Sequence, residues 1–265
     1  MKQFTCYVVD AFSDRIFHGN PAAVVPLKEW LPAELMQSIA LEHNLAETVF
    51  FVPVGSGYHI RWFTPAVEVD LCGHATLASG FVIRNFIDPT ATRIDFDSKS
   101  GPLGVEIDGD IYTLDFPNRM PTAISPDEHL LAGLGATPAE VLASRDYLAV
   151  YNTAEEVRNL KPDMGALARI HRFAAIATGP GDEPGLDFVS RFFSPGCGGI
   201  PEDPVTGSAH STLIPYWAKR LGKDKMRAKQ VSPRSGELFC ELAGDRVKIG
   251  GHAVLYSKNE IYIPG

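Results

Sequence analysis

The sequence predicts an α+β fold of two similar domains, each a curled, mostly antiparallel, barrel-like sheet around a central helix. Three observations carry that expectation. The chain repeats itself at about half its length, each copy alternates short strand-like runs with a few helices, and one helix in each copy is apolar nearly all round.

The repeat is read from anchors that recur in the same order. RWFTP at 61–65 returns as RFFSP at 191–195, GHA at 73–75 returns as GSA at 207–209, and SGPLGVEIDGD at 100–110 returns as SGELFCELAGD at 235–245. The offset drifts from 130 to 135, and most of the added residues fall between Pro195 and Gly207. Pro32 and Pro162 also correspond, each opening an apolar-periodic run (Leu35 and Ile39; Leu167 and Ile170) as a proline in a first helical turn does. The period is too long for a solenoid. The expected division is residues 1–120 and 121–265, two domains facing a cleft, where small ligands bind.

Within the first copy, TCYVVDAF, AETVFFVPV, YHIRWFTP, TRIDFDS, GVEIDG and IYTLDFP are short runs rich in β-branched and aromatic residues, bounded by turn formers, and read as strands. LPAELMQSIALEHN and GHATLASGFVIRNF read as helices. The second of these carries Ala75, Leu77, Ala78, Phe81, Val82 and Ile83 around its whole circumference, as a helix enclosed by a sheet requires. SAHSTLIPYWAKRL at 208–221 is its counterpart, with Pro215 expected to kink it or mark its fraying. Connections too short for crossover helices make most strand pairs antiparallel.

Composition narrows the function. The 265 residues are 45% hydrophobic with a net charge of -8, and 24 Lys and Arg face 32 acids, so a nucleic-acid partner is not expected. The basic stretch KRLGKDKMRAK at 219–229 reads as a solvated helix end or loop. No membrane-length apolar run or secretory pattern stands in the sequence, and the expected location is cytoplasmic. The four cysteines (6, 72, 197, 240) form no CxxC pair and are expected to be reduced. The eight histidines include no HExxH and no close pair joined by acids, so no metal site is expected. GPGDEPG at 179–185 and GCGG at 196–199 lack the lysine of a phosphate loop.

The chemistry concentrates at the starts of the two enclosed helices. Gly73 and Gly207 leave backbone N–H groups at Gly73–Ala75 and Gly207–Ala209 free to hold an anionic group. Glu202 and Asp203, in EDPVTGSAH, stand at the rim of the second start, where ionised acids would repel that anion unless one is protonated, positions a substrate donor, or moves a proton. A hydrolytic triad of Ser208, His210 and Asp203 is rejected, since residues two apart on a helix face different directions and the G-x-S-x-G elbow is absent.

DxF…GNPAAVV at 10–25, AETVFF at 46–51, RWFTP…DLCGHAT at 61–76 and GIPEDPVTGSAH at 199–210 together resemble the PhzF-type phenazine biosynthesis proteins, a branch of the diaminopimelate epimerase-like fold. The resemblance covers most of the chain. It implies two similar domains with an active site in their cleft, a homodimer, no metal or organic cofactor, and isomerisation by proton transfer on a small anionic organic substrate. It also implies catalytic roles for Glu47, His74 and Asp203, and tips Asn20, in the turn-prone His18–Asn20 loop, towards the site. The substrate-binding set expected is Asn20, Gly73, Ala75, Thr206, Gly207 and Ser208.

Read from the residues alone, Glu47 is either a solvated loop carboxylate or a general acid/base whose position 130 residues later, Ala177, carries no acid. His74 is a buried structural histidine or a proton carrier, and Asp203 a capping acid or a participant. Cys72 has Thr206, not cysteine, as its counterpart, so the two-thiol pattern of amino-acid racemases of this fold is incomplete unless Cys197 folds inward. That racemase and a non-catalytic binding protein for a small organic acid are the alternatives.

Overall fold

The computed structural model describes residues 1–196 and 201–263, and the chain divides into two compact units. The first comprises Met1–Asp115 with Gly250–Gly265, the second Phe116–Ile249. The expected boundary at 120 is close, but the assignment of the C-terminal residues to the second domain is corrected. The last strand pairs antiparallel with the first, from Lys2 opposite Ile263 to Ala11 opposite Ala253. The repeat anchors end at Asp245, so nothing in the repeat could have placed this return.

The first unit runs β1 (Lys2–Ala11), β2 (Asn20–Pro26), α1 (Ala33–His43), β3 (Glu47–Val54), β4 (Gly57–Phe63), β5 (Glu68–Val69), α2 (Gly73–Phe86), β6 (Arg93–Asp97), β7 (Leu103–Asp108) and β8 (Ile111–Pro117). The second runs β9 (Thr122–Ala123), α3 (Glu128–Leu134), β10 (Glu140–Ala143), β11 (Tyr147–Val150), α4 (Ala154–Asn159), α5 (Met164–Leu167), β12 (Ala175–Pro180), β13 (Phe188–Phe193), β14 (Glu202–Asp203), α6 (Gly207–Leu221), β15 (Lys225–Gln230), β16 (Gly236–Ala243) and β17 (Arg246–Gly251), before β18 (Ala253–Ile263) returns to the first.

Strand pairing follows the connections. Hairpins give antiparallel pairs, as in β3–β4 and β6–β7. The parallel pairs β2–β3, β4–β6, β11–β12 and β13–β15 are those whose connection carries a helix. The order of pairing is therefore the same in both units, as the repeat predicts. The basic stretch at 219–229 is only partly a helix end, because its second half forms β15, paired with β16.

The central helices hold each unit together. In α2, Gly73 to Gly80, Val82 and Ile83 are buried, and each large apolar side chain removed from water contributes roughly 1.5–3 kcal/mol. Gly80 lets β7 approach α2, since a Cβ there would stand 2.9 Å from Val105 Cγ1. The counterpart α6 runs through Pro215 to Leu221 rather than fraying at the proline. Its Trp217 stacks on Phe188 and donates to Thr178 Oγ1. Outside the first sheet, α1 packs Met36, Ile39 and Ala40 against Val25, Phe50 and Phe63. In the second unit, α3, α4 and the short α5 cover that side through Leu130, Leu134, Val157 and Leu167. The run opened by Pro162 is thus a single turn capped by Asp163, not a long helix.

Candidate active site

Three side chains of the first unit meet because each begins an element. Asn20 is the first residue of β2, Glu47 the first of β3, and His74 the second of α2. The parallel pairing of β2 with β3 aligns their starts, with Ala22 opposite Glu47. Gly19 makes the entry to β2 possible, because it adopts φ +69° and a Cβ there would lie 2.2 Å from the Ala11 carbonyl oxygen.

Glu47 Oε2 lies 3.1 Å from His74 Nε2, with the two side chains 16% and 5% exposed. On the other edge of the imidazole, Asn20 Nδ2 is 3.2 Å and Cys72 Sγ 3.4 Å from Nδ1. Both atoms are buried, and neither has another hydrogen-bond partner among the described residues. Burial, the largest influence, pulls the His74 pKa down, but the Cys72 and Glu47 charges together outweigh it and hold the ring well above its ordinary value. Burial also pushes the Cys72 thiol up to about 11. The sulfur is therefore protonated at neutral pH, so of the two neighbours that raise the His74 pKa only Glu47 brings a charge there.

A neutral His74 accepts at Nδ1 from the Asn20 amide and carries its hydrogen on Nε2, towards Glu47. A charged ring would turn a second N–H at Nδ1 towards the Cys72 sulfur. Glu47, Cys72 and His74 also place potential ligand atoms within 4.8 Å of one another, a donor set of zinc type. Yet the sulfur and the carboxylate approach opposite nitrogens of one ring, an arrangement suited to proton relay rather than to ligands converging on one ion.

The second unit carries the other predicted residues. Asp203 lies in β14, and its Oδ2 accepts from the Thr206 hydroxyl at 2.5 Å. Gln230, fully buried, fixes both: its Oε1 accepts from Thr206 N at 2.9 Å, and its Nε2 donates to the Asp203 carbonyl at 2.7 Å and to Thr206 Oγ1 at 3.2 Å. Asp203 is thus held by the side chains of Thr206 and Gln230. Glu202 plays a different part from the one expected. It forms a two-pronged ion pair with Arg191, at 2.7 and 2.8 Å, and is committed to the structure.

Gly73 and Gly207 each begin their helix, and neither N-cap residue, Cys72 or Thr206, closes it with a side-chain hydrogen bond. The Cys72 sulfur lies by the Ala75 amide, and Thr206 does not cap the first turn of α6, as an anion-holding helix start requires there. The Ser208 hydroxyl accepts from Arg145 Nη2 at 3.2 Å. Cys6, Cys72 and Cys240 are free and buried, while Cys197 lies outside the described residues. The sequence reading missed Gln230 and Arg145. Each lies far along the chain from the residues it holds, and neither sits in a motif.

Comparison with known proteins fits this geometry. Residues 9–259 match the family described as phenazine biosynthesis-like protein. The chain belongs to the PhzF family. A Pseudomonas aeruginosa protein named as an uncharacterized isomerase is 50% identical over 260 residues, covering 98% of both chains. A human phenazine biosynthesis-like domain-containing protein is 38% identical, over 94% of this chain and 96% of its own. The crystal structure of a PhzF family protein from Enterococcus faecalis superposes with a TM-score of 0.96 at 46% identity, covering 99% of this chain and all of the other. A hydroxyproline epimerase from Agrobacterium vitis shares the fold at 11% identity, with a TM-score of 0.61 over 98% of this chain and 92% of its own. The expected epimerase-like fold stands, and PhzF membership makes the chain an isomerase by class. No helix among the described residues is long and apolar enough to cross a membrane.

Proposed function

We propose that this PhzF-family isomerase moves a proton between two atoms of a small carboxylate-bearing substrate, using Glu47 as the general acid/base and requiring no cofactor. The observation that carries the proposal is the 3.1 Å contact of Glu47 Oε2 with Nε2 of a buried imidazole whose pKa is raised, neither atom having another hydrogen-bond partner among the described residues. Glu47 takes the proton from one carbon of the substrate and returns it to another. The charged His74 stabilises the carboxylate while it is negative and loosens its hold as the carboxylate gains the proton. Asn20 fixes the ring, and Cys72, as a neutral thiol, fills space against it. The first-turn amides of α2 are assigned to an anionic group of the substrate. A single carboxylate that both takes and gives the proton is enough for such a shift, so the residues of the chain supply every proton the reaction needs.

A two-thiol racemase is the weaker reading. A base must lose its proton to work, and a thiol pushed up to about 11 does so poorly near neutral pH. The position matching Cys72 in the second unit is Thr206, whose hydroxyl is engaged by Asp203.

The test is solvent exchange. Small carboxylic acids that raise the thermal stability of the protein are incubated with it in deuterated water, and incorporation is followed by mass spectrometry. The native chain is expected to place deuterium at one carbon. Glu47→Gln should slow this by at least about 100-fold while still being stabilised by the same acid. Exchange at the native rate in Glu47→Gln would overturn the assignment.

A further inference from the structure

The duplication shows what the second unit has put in the place of the Asn20, Glu47 and His74 cluster. Thr48 pairs with Phe63 in the first unit as Ala175 pairs with Phe193 in the second, so Glu47 corresponds to Ala174, correcting the Ala177 expected from a constant offset. By the same registers Ala23 corresponds to Tyr147, and Asn20 to Ser144. His74 corresponds to Ser208 through the GHA and GSA anchors. Where the first unit has a carboxylate and an imidazole, the second has Ser144, Arg145, Asp146 and Ser208.

These groups are built together. Ser144 Oγ bonds Thr212 Oγ1 at 2.8 Å, one turn along α6 from Ser208. Arg145 donates from Nε and Nη2 to Asp146, whose side chain is 1% exposed, and from Nη2 to Ser208 Oγ. Arg172 donates to the Ser144 carbonyl and lies over the Tyr147 ring, 5.5 Å from its centroid. Residue 119 is fixed beside the same helix, since Arg119 N donates to the Ser211 carbonyl at 2.9 Å.

Three guanidinium groups, of Arg119, Arg145 and Arg172, bear on the Asp146 carboxylate, and Arg172 also contacts the Tyr147 hydroxyl that donates to Asp127. Among the described residues, no hydrogen bond or ion pair reaches the Arg119 guanidinium or Arg145 Nη1. Burial and then repulsion from Arg145 depress the Arg119 pKa, the mark of a cation that an added negative charge would relieve.

We propose that Arg119, Arg145 and the Ser208 hydroxyl form an anion-binding subsite of the second unit that takes a carboxylate or phosphate group of a small molecule. Arg145 Nη1 and the Arg119 fork supply charge-assisted donors, and Asp146 holds Arg145 in the orientation that presents Nη1. The Ser208 hydroxyl, accepting from Arg145, has its own hydrogen to donate. The subsite stands on these groups alone, so its test is separate from that of Glu47 and reads binding rather than turnover.

The full-length protein is titrated with inorganic phosphate and, separately, with succinate at constant ionic strength, while the Ser208 amide and Arg145 Nε–H signals are followed by NMR. Saturable shifts of both signals are expected with at least one anion, and Arg119→Met should weaken binding roughly tenfold. Arg119→Lys, which keeps the charge and guards against misfolding as the cause, should recover part of the loss. A preference for phosphate points to phosphoryl substrates and a preference for succinate to dicarboxylates, and either supports the subsite. The proposal is overturned if neither anion shifts these signals saturably, or if Arg119→Met binds as the native chain does.

Discussion

The two units share one scaffold but differ where chemistry would be done, and that contrast separates what the fold needs from what function needs. The scaffold is shared down to single interactions. Arg61 clasps Glu68 with two hydrogen bonds of 2.8 Å and lies over Phe63; Arg191 clasps Glu202 at 2.7 and 2.8 Å and lies over Phe193. Both clasps tie the strand before the central helix to the short strand leading into it. The polar clusters at the matching strand and helix starts are not shared. An interaction kept in both copies belongs to the architecture, and one present in a single copy is a candidate for function.

The two clasps should not cost the same to break. Arg191 also donates to the Leu160 carbonyl at 2.9 Å, and Glu202 has Arg191 as its ion-pair partner, with side chains 10% and 14% exposed. Glu68 has a second partner in Lys99 at 3.3 Å. Arg191→Met should therefore destabilise the chain by about 3–5 kcal/mol, leaving a buried charge and a carbonyl unpaired. Arg61→Met should cost about 1–2 kcal/mol, because Lys99 remains. Chemical denaturation of the two variants measures both, and equal losses would break the comparison.

The two buried histidines are a second contrast. His210 donates from Nδ1 to the Thr206 carbonyl, and burial pulls its pKa down to about 4. Its folded pKa lies below the unfolded value, so protonation is resisted by the fold and stability is lost as pH falls from about 6.5 towards 4. The loss amounts to about 3 kcal/mol over that window. His210→Asn, which keeps the donor to Thr206, should flatten that part of the stability profile. His74 has the opposite sign. Its folded pKa is raised, so its contribution is complete below the unfolded pKa and is lost as pH climbs through the folded one.

The smallest effect concerns the central helices. Gly80 of α2 corresponds to Ile214 of α6, fully buried, so the same helical position meets a close strand in one unit and room for a branched chain in the other. Gly80→Ala should cost about 1–2 kcal/mol, because Val105 must give way, whereas Ile214→Val should cost about 1 kcal/mol. Thermal unfolding of both compares them directly.

Much of this was legible in the sequence. The anchors RWFTP and RFFSP revealed the duplication because the clasp arginine and its aromatic neighbour are fixed by the same geometry twice. Helix α2 spans the residues its all-round apolar pattern indicated, and Glu47, Asn20 and His74, which the PhzF resemblance singled out, lie in contact around one imidazole. What escaped has physical causes. The pairing of β18 with β1 is a contact between chain ends, which local patterns do not record. Ala174 was misread as Ala177 because the loops between anchors differ in length. The role of Glu202 depends on which arginine reaches it. Gln230 and Arg145 act through hydrogen bonds to Thr206, Asp203 and Ser208, a dependence that no spacing announces.

The central claim is that the Glu47 carboxylate and the His74 ring are electrostatically coupled, and the most direct measurement is the titration of the His74 ring by NMR in the native chain and in Glu47→Gln. The account predicts a native pKa well above the ordinary 6.5 that falls in Glu47→Gln as one of its two supports is removed. A His74 that titrates at or below 6.5 in the native chain, or that is unmoved by the loss of the Glu47 charge, would contradict it.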